Sequence, residues 1–169
     1  MIKKITLALF ISLLSFCAVD AQNTTAFELD EYISQTSNNK SSLKTKSSQP
    51  LSTPLQVLAY NLVSTVVIEN SEIKVFGEQP PLKAELLYNS FNILSTSNAQ
   101  FNKVELLVIK LDSEDQLNTS LDFSKIQGFN NLKYVYFLCP FNCSKSKIEN
   151  ISQGMPLGTT LLYSASIPE

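Results

Sequence analysis

The sequence predicts a small α/β domain in which parallel strands alternate with helical crossovers, preceded by a β-hairpin. Three observations predict it. Two β-rich runs, Thr65–Glu69 and Ile73–Phe76, flank the polar pair Asn70-Ser71. Two nearly continuous apolar runs, 104–111 and 132–138, begin at corresponding positions of an internal similarity described below. A polar segment that can form a short helix follows the second run and leads to a third strand-like stretch.

The N-terminus has the three regions of a secretory signal peptide. Lys3 and Lys4 precede an uninterrupted apolar run over residues 5–19, and small residues stand at the positions that a cleavage before Gln22 requires. The sequence therefore predicts a signal peptide over residues 1–21 and an exported protein, located in the periplasm or outside the cell.

One alternative processing route concerns Cys17. The stretch Leu14-Ser15-Phe16-Cys17 can be interpreted as a lipobox whose cysteine carries a lipid anchor. That processing prefers a small residue before the cysteine, and Phe16 is large, so cleavage and loss of Cys17 is the favoured interpretation. No later segment approaches the ~20 apolar residues of a membrane span, so none is predicted in the mature chain.

Composition divides the rest of the chain into a polar tail over residues 22–54 and a single domain over residues 55–169. The tail is rich in Ser, Thr, Asn and Lys, which bury too little apolar surface to offset the entropy of ordering. It is predicted to be a flexible spacer. Its apolar patch Phe27–Ile33 is the exception, with a turn of helix or a docking role as the alternative.

Composition also excludes several classes of function. Histidine is absent, which removes Ser-His-Asp and Cys-His nucleophile systems, His-ligated zinc and imidazole proton transfer. The formal charge of −2 gives no basic surface for nucleic acid. We therefore expect a protein that is not an enzyme, has no cofactor or metal and binds no nucleic acid.

Within the domain, the segment Leu82–Leu94 has apolar residues at mixed spacings of three and four, which predicts an amphipathic helix. The segment 144–155 begins with polar residues able to cap a short helix and contains Gly154 near its end. Strands joined by such crossovers pair in parallel with right-handed connections.

An internal similarity supports this parallel arrangement. The sequences "FNKVELLVIKL" and "FNNLKYVYFLC" begin at Phe101 and Phe129, an offset of 28. Leu107 then corresponds to Val135, and Ile109 to Phe137. A third and weaker match starts at Leu157, at the same offset again. Repeat lengths in the twenties are typical of leucine-rich arrays.

The stretch "SLDFSKIQGFNNLKYVYFL" resembles one unit of a leucine-rich repeat, and the resemblance extends over residues 101–139. The family motif maps onto Leu132, Val135 and Phe137, whereas its ladder asparagine falls on Pro140, and on Asp112 in the preceding unit. The resemblance implies a leucine-rich-repeat-like sheet within a small domain and a role in protein recognition.

Cys139 and Cys143, in "CPFNC", are the cysteines that remain after loss of the signal peptide. An even pair in an exported protein favours a structural disulfide. The alternatives are two free thiols and a redox-active dithiol, although thioredoxin-like motifs have two intervening residues and this one has three. Two cysteines without histidine do not complete a zinc shell.

Two further groups are candidates for function. Asp112, Glu114 and Asp115 form the densest acidic group, but they lack the glycine and the spacing of a calcium loop, which favours a solvated turn. Tyr134 and Tyr136 alternate with Val135 and Phe137 and so share one face of a strand. If that face is open, the two tyrosines form a recognition surface. The alternative places them beneath the crossover helices.

Together these features predict an exported, non-enzymatic protein-interaction module of the cell envelope or extracellular space, with an unknown protein partner. The alternative is an envelope thiol-disulfide redox factor that uses Cys139 and Cys143.

Overall fold

A computed structural model of the protein describes residues 24–40 and 53–165. The predicted signal peptide, including Cys17, lies outside the described residues, as do residues 41–52 of the predicted tail. Among the described residues, no helix has both the length and the apolar character needed to cross a membrane.

The described residues form an α/β domain built on a seven-stranded, mostly parallel sheet, which confirms the predicted fold class. The strands are β1 (Ala26–Glu28), β2 (Thr65–Glu69), β3 (Glu72–Phe76), β4 (Lys83–Leu87), β5 (Leu106–Lys110), β7 (Tyr134–Cys139) and β9 (Thr160–Ala165). Two further strands, β6 (Leu121–Asp122) and β8 (Ser152–Gln153), pair with each other in a small second sheet.

Helical segments occupy the connections. The α-helices are α1 (Leu29–Lys40), α2 (Pro54–Tyr60) and α3 (Lys145–Ile151). The 3-10 helices are η1 (Tyr88–Ser95), η2 (Ala99–Phe101), η3 (Glu114–Asn118) and η4 (Phe123–Lys125). Helix α3 lies in the crossover where the sequence predicts a short helix, and Gly154 after it has a φ of 66°, a conformation that glycine adopts without strain.

The large sheet has the strand order β1-β9-β7-β5-β4-β2-β3. Strands β2, β4, β5, β7 and β9 are parallel neighbours in chain order. At one end β3 pairs antiparallel with β2 through Asn70 and Ser71, whose φ values are 49° and 68°. Positive φ at both central residues is the geometry of a type I′ turn, which matches the twist of a two-residue hairpin.

The crossovers pack on one face of the sheet, here named the crossover face. Its strand side chains are mostly apolar and include Val66, Leu86, Ile109, Val135, Phe137 and Leu161, all buried. Phe101, Phe123 and Ile148 from three crossovers are buried against them in the same cluster. The connections between β4 and β9 thus all cover one side, and along them the chain advances one strand of the large sheet at a time.

The register of β5 and β7 follows the internal similarity of the sequence, since it pairs Leu107 with Val135 and Ile109 with Phe137. The same offset relates Phe101 and Phe129, whose rings stack at 4.7 Å. At the next step Tyr134 pairs with Thr160, so the offset at β9 is smaller. The expected match at Leu157 is therefore out of register, because the last crossover is shorter.

Strand β1 and helix α1 lie in the segment predicted as a flexible spacer, and they include the patch Phe27–Ile33 for which a turn of helix or a docking role is the alternative. Strand β1 pairs in parallel with β9, and the β1 residue Ala26 donates its N–H to Glu149 Oε1 on α3 at 2.9 Å. Leu29 and Ile33 lie one helical turn apart on α1 and are buried against the sheet. Few apolar residues suffice here because the sheet supplies the rest of the cluster.

The helix predicted over Leu82–Leu94 is wrong in its first half. Lys83–Leu87 is strand β4, with Ala84 and Leu86 buried on the crossover face and paired with β2 and β5 on either side. Pairing along both edges of the strand stabilises an extended conformation over the helical pattern. Only from Tyr88 does the chain turn helical, as the 3-10 helix η1.

Candidate functional site

The second face of the sheet, here named the helix face, is divided into two halves of different chemistry. Its apolar half consists of Leu106, Val108, Tyr134, Tyr136 and Leu162, which pack in clusters with residues of α1 and α2. Its charged half consists of Lys74, Val67, Lys83, Glu85 and Lys110, on β3, β2, β4 and the end of β5.

Tyr134 and Tyr136 lie in the apolar half and are half-buried. They pack against clusters that contain Leu29 and Leu55 of the N-terminal segment. Helices thus cover the two tyrosines, as in the alternative prediction. These helices are α1 and α2, however, and not the crossover helices that the prediction named. Burial raises the pKa of both phenols, and Tyr136 shares a 2.5 Å hydrogen bond with the Ser164 hydroxyl.

Local signals in the sequence explain the two covering helices. Thr53 accepts a hydrogen bond from the Gln56 N–H and so caps α2, with Pro54 in the first turn. The Glu28 carboxylate accepts the Glu31 N–H at the start of α1. The two helices are joined by the Tyr60 hydroxyl, which donates to the Asp30 carboxylate. Burial and this acidic acceptor raise the pKa of Tyr60.

The charged half is organised around Glu85. Its two carboxylate oxygens accept from Lys83 Nζ at 3.0 Å and Lys110 Nζ at 2.7 Å. Burial pushes the pKa of Glu85 upward, but the hydrogen bonds and charges of the two lysines outweigh it, so the pKa lies below its ordinary value. The side chains of Lys83, Glu85 and Lys110 are 13 %, 21 % and 40 % exposed, so the group is ordered and Lys110 is its most accessible member.

The cysteine pair lies at the end of β7. The Cα atoms of Cys139 and Cys143 are 6.4 Å apart and their sulfurs lie at disulfide distance, consistent with the ~4.4–6.8 Å range of bridged pairs. Cys139 is 0 % exposed and Cys143 5 %. Both belong to the cluster beneath the crossover face, so neither sulfur is presented to a reaction partner.

The acidic group Asp112, Glu114 and Asp115 lies exposed on the turn around η3. The Asp112 N–H donates to Gln116 Oε1 at 2.8 Å, and the Gln116 N–H donates to the Ser113 carbonyl at 3.3 Å, so hydrogen bonds within the chain hold the turn. Within residues 24–40 and 53–165, no three His, Cys, Asp or Glu side chains converge as a metal site would require.

Sequence reasoning missed the charged half because it assigned Lys83 and Glu85 to a helix. The alternation of charged and apolar residues in Lys83-Ala84-Glu85-Leu86 is the period of a strand and could have indicated it. Lys110 ends the apolar run of β5, and nothing local links it to Glu85. Only the parallel pairing of β4 with β5 brings those two side chains together.

Comparison with known proteins assigns no relatives. No protein-family model matches the chain, no curated protein is significantly similar to it, and no solved structure matches its fold at a significant level.

Proposed function

We propose that the protein is an exported, non-enzymatic protein-interaction module of the cell envelope or extracellular space, and that it binds an unknown protein partner through the charged half of the helix face. The observation that carries the proposal is the ordered group of Glu85, Lys83 and Lys110 on a sheet face whose other half is packed under helices. Charged groups held in place in this way select partners by charge complementarity.

The order of the strands supports a recognition role. Parallel strands that follow one another in chain order align their side chains in cross-strand rows on the helix face, and α1 and α2 cover the apolar half of these rows but not the charged half. The leucine-rich-repeat-like resemblance over residues 101–139 implies a general role in protein recognition. The strands that it covers, β5 and β7, lie mostly in the half that α1 and α2 cover, so the resemblance supports the role and not the choice of surface. We extend the resemblance to this chain as part of the proposal.

Site-specific photo-crosslinking in the native host tests the proposal. Val67 lies in the charged half, paired with Lys74 on one side and Glu85 on the other. A photo-reactive amino acid at position 67 is expected to capture one reproducible protein. The same residue at Leu157, which is 82 % exposed, is the matched control and is expected to capture none.

A second variant links capture to the charges. Glu85→Lys replaces the central carboxylate and leaves three neighbouring cations, so capture from position 67 is expected to be lost. Equal capture from positions 67 and 157, or capture that Glu85→Lys leaves unchanged, would contradict recognition through this surface.

N-terminal sequencing of the exported protein tests the predicted cleavage before Gln22 separately, and retention of a lipid would indicate anchoring at Cys17.

We also propose that Cys139 and Cys143 form a structural disulfide. The bridge closes a very short loop, so its stabilisation is small, roughly 1–3 kcal/mol in the chain-entropy account. Burial of both sulfurs supports this role over that of a thiol-disulfide redox factor, since exchange requires attack on an accessible sulfur. The two roles are distinguished by treating the native protein with a mild dithiol and then titrating the free thiols. Rapid reduction with the fold intact would favour the redox alternative.

A further inference from the structure

A cleft on the crossover side of the molecule has the chemistry of a binding site that is separate from the helix face. It has a volume of about 460 Å³ and lies between η1 on one side and the β6–η4 connection on the other. This volume is within the ~300–1,000 Å³ of small-molecule sites. The Tyr88 hydroxyl donates to the Thr119 carbonyl at 2.8 Å and so ties the two walls together.

The 3-10 geometry of η1 explains the chemistry of the first wall. With three residues per turn, side chains three apart lie in a row along the helix. Asn89, Asn92 and Ser95 therefore form a polar row, and Tyr88 and Phe91 lie in the adjacent row, with all five lining the cleft. The apolar row turns inward, where Phe91 packs edge-on against Phe123 at 5.0 Å.

The side chains of Asn89 and Asn92 are exposed, and their amides form no hydrogen bond with another described residue. Each amide offers both donors and an acceptor to the cleft. Ser95 is oriented by its own bond to the Asn92 carbonyl at 2.7 Å. The polar row can therefore bind a group that both donates and accepts hydrogen bonds.

The opposite wall contributes apolar surface and a neutralised pair of charges. Leu121 and Ile126 line it beside the Asp122 carboxylate and Lys125. Lys125 Nζ lies 3.0 Å from Asp122 Oδ2, and the other carboxylate oxygen accepts from the Ser124 N–H and hydroxyl. The hydrogen bonds from Ser124 and Lys125 hold the pKa of Asp122 below its ordinary value. The pair leaves no net charge that would select an ion.

We propose that this cleft binds a neutral sugar. A sugar ring has an apolar C–H face, which can pack on the apolar surface that Phe91, Leu121 and Ile126 contribute to the lining. Its hydroxyl groups donate and accept at once, which matches the free amides of Asn89 and Asn92. A charged ligand lacks a complementary charge here, and a purely apolar ligand leaves the amides unpaired.

The inference is tested by adding sugars to the intact protein and monitoring its backbone amide resonances by NMR. The probes are glucose, galactose, N-acetylglucosamine and cellobiose at millimolar concentrations, with cyclohexanol as an apolar molecule of similar ring size. At least one sugar is expected to shift resonances confined to residues 88–95 and 119–126, with saturation. Cyclohexanol is expected to bind more weakly than that sugar.

Exposed asparagines provide matched variants that keep the fold. Asn89→Ala and Asn92→Ala are each expected to weaken sugar binding about tenfold, the effect of one lost hydrogen bond. Asn150→Ala, on the exposed side of α3, is expected to leave it unchanged. The inference is overturned if no sugar shifts these resonances, if the shifts lie elsewhere, or if the two variants bind the sugar as tightly as Asn150→Ala does.

This test is independent of the helix face. Loss of sugar binding in Asn92→Ala with photo-capture from position 67 retained would separate the two sites, and failure of either experiment leaves the other standing.

Discussion

The two halves of the helix face lie on one sheet and differ in what covers them. One cross-strand row crosses both halves: Lys74, Val67, Glu85, Val108, Tyr136 and Leu162 pair in turn across six strands. At the Leu162 end the row is buried under α1 and α2, and at the Lys74 end it is charged and exposed. Side chains are therefore apolar where helices cover the row and mainly charged where they do not, although one continuous sheet carries both ends.

The difference shows why the N-terminal segment is needed. A parallel strand is normally covered on both faces, and the crossovers of this chain cover only one. Strands β5, β7 and β9 keep apolar residues on the helix face, so a separate element has to cover them. Residues 26–40 and 54–60 do so, and β1 also pairs with the outer edge of β9, which would otherwise be open to association.

The largest loss of stability is expected when a buried side chain in the apolar half is shortened. Leu162 is fully buried between the sheet and the cluster of Leu29, Ile33 and Leu55. Leu162→Ala is expected to lower the free energy of unfolding by about 2–5 kcal/mol, because it removes buried surface and leaves a cavity. Urea unfolding measures the loss.

Val67→Ala is the matched control, since Val67 lies in the same cross-strand row within the charged half and is only half-buried. It is expected to cost less than half as much as Leu162→Ala. Equal losses would show that the two halves are packed alike and that the division of the face into covered and accessible parts is wrong.

A smaller effect is expected from Ser164→Ala at the edge of the apolar half. The change removes the hydroxyl that Tyr136 bonds, and it is expected to cost about 0.5–1.5 kcal/mol. Burial raises the pKa of Tyr136 and the bond to Ser164 offsets part of that rise, so the variant is expected to titrate at still higher pH. Ultraviolet titration of the phenols measures the shift.

The Tyr136→Phe background provides the control for this pair. In that background Ser164→Ala is expected to have little further effect on stability, because the interaction is already absent. An unchanged cost would assign the loss to the packing of Ser164 itself.

The sequence predicts the parts of this fold whose signals are local or periodic. The apolar runs of β5 and β7 are long and similar to each other, and the structure pairs them at the offset that relates Phe101 to Phe129. The polar residues before α3 and Gly154 after it indicate that helix from the local sequence, although the Ser144 side chain makes no capping hydrogen bond. Hydrophobic spacing within a window carries this information directly.

Features that depend on distant contacts are not predictable from the same signals. Strand β1 is very short and pairs with β9 at the far end of the chain, so its Ser- and Asn-rich surroundings indicate a spacer instead. For the same reason, the sequence around Glu85 does not predict its contact with Lys110 of β5. The charged half became identifiable only once the order of the strands was known.

The smallest effect is expected from Glu85→Gln in the charged half, and its pH dependence identifies the cause. At pH 7 the variant is expected to be less stable by about 0.2–1 kcal/mol, the range for partly exposed ion pairs. The pKa of Glu85 is lowered by folding, so its ionised form contributes stability above the ordinary glutamate pKa of about 4.3. That contribution is lost as the pH falls through the lower pKa of the folded state, and the wild type and variant then converge.

Glu72→Gln is the matched control on the edge strand β3, where Glu72 pairs with Lys74 but both side chains are about two-thirds exposed. Unfolding curves in urea between pH 7 and pH 3 are expected to show no measurable change for that variant. A difference between wild type and Glu85→Gln that stays constant over this pH range would mean that shape or hydrogen bonding, and not the ionised carboxylate, stabilises the charged half. Recognition by charge at this surface would then lose its physical basis, since the lysines would not be held in place by Glu85.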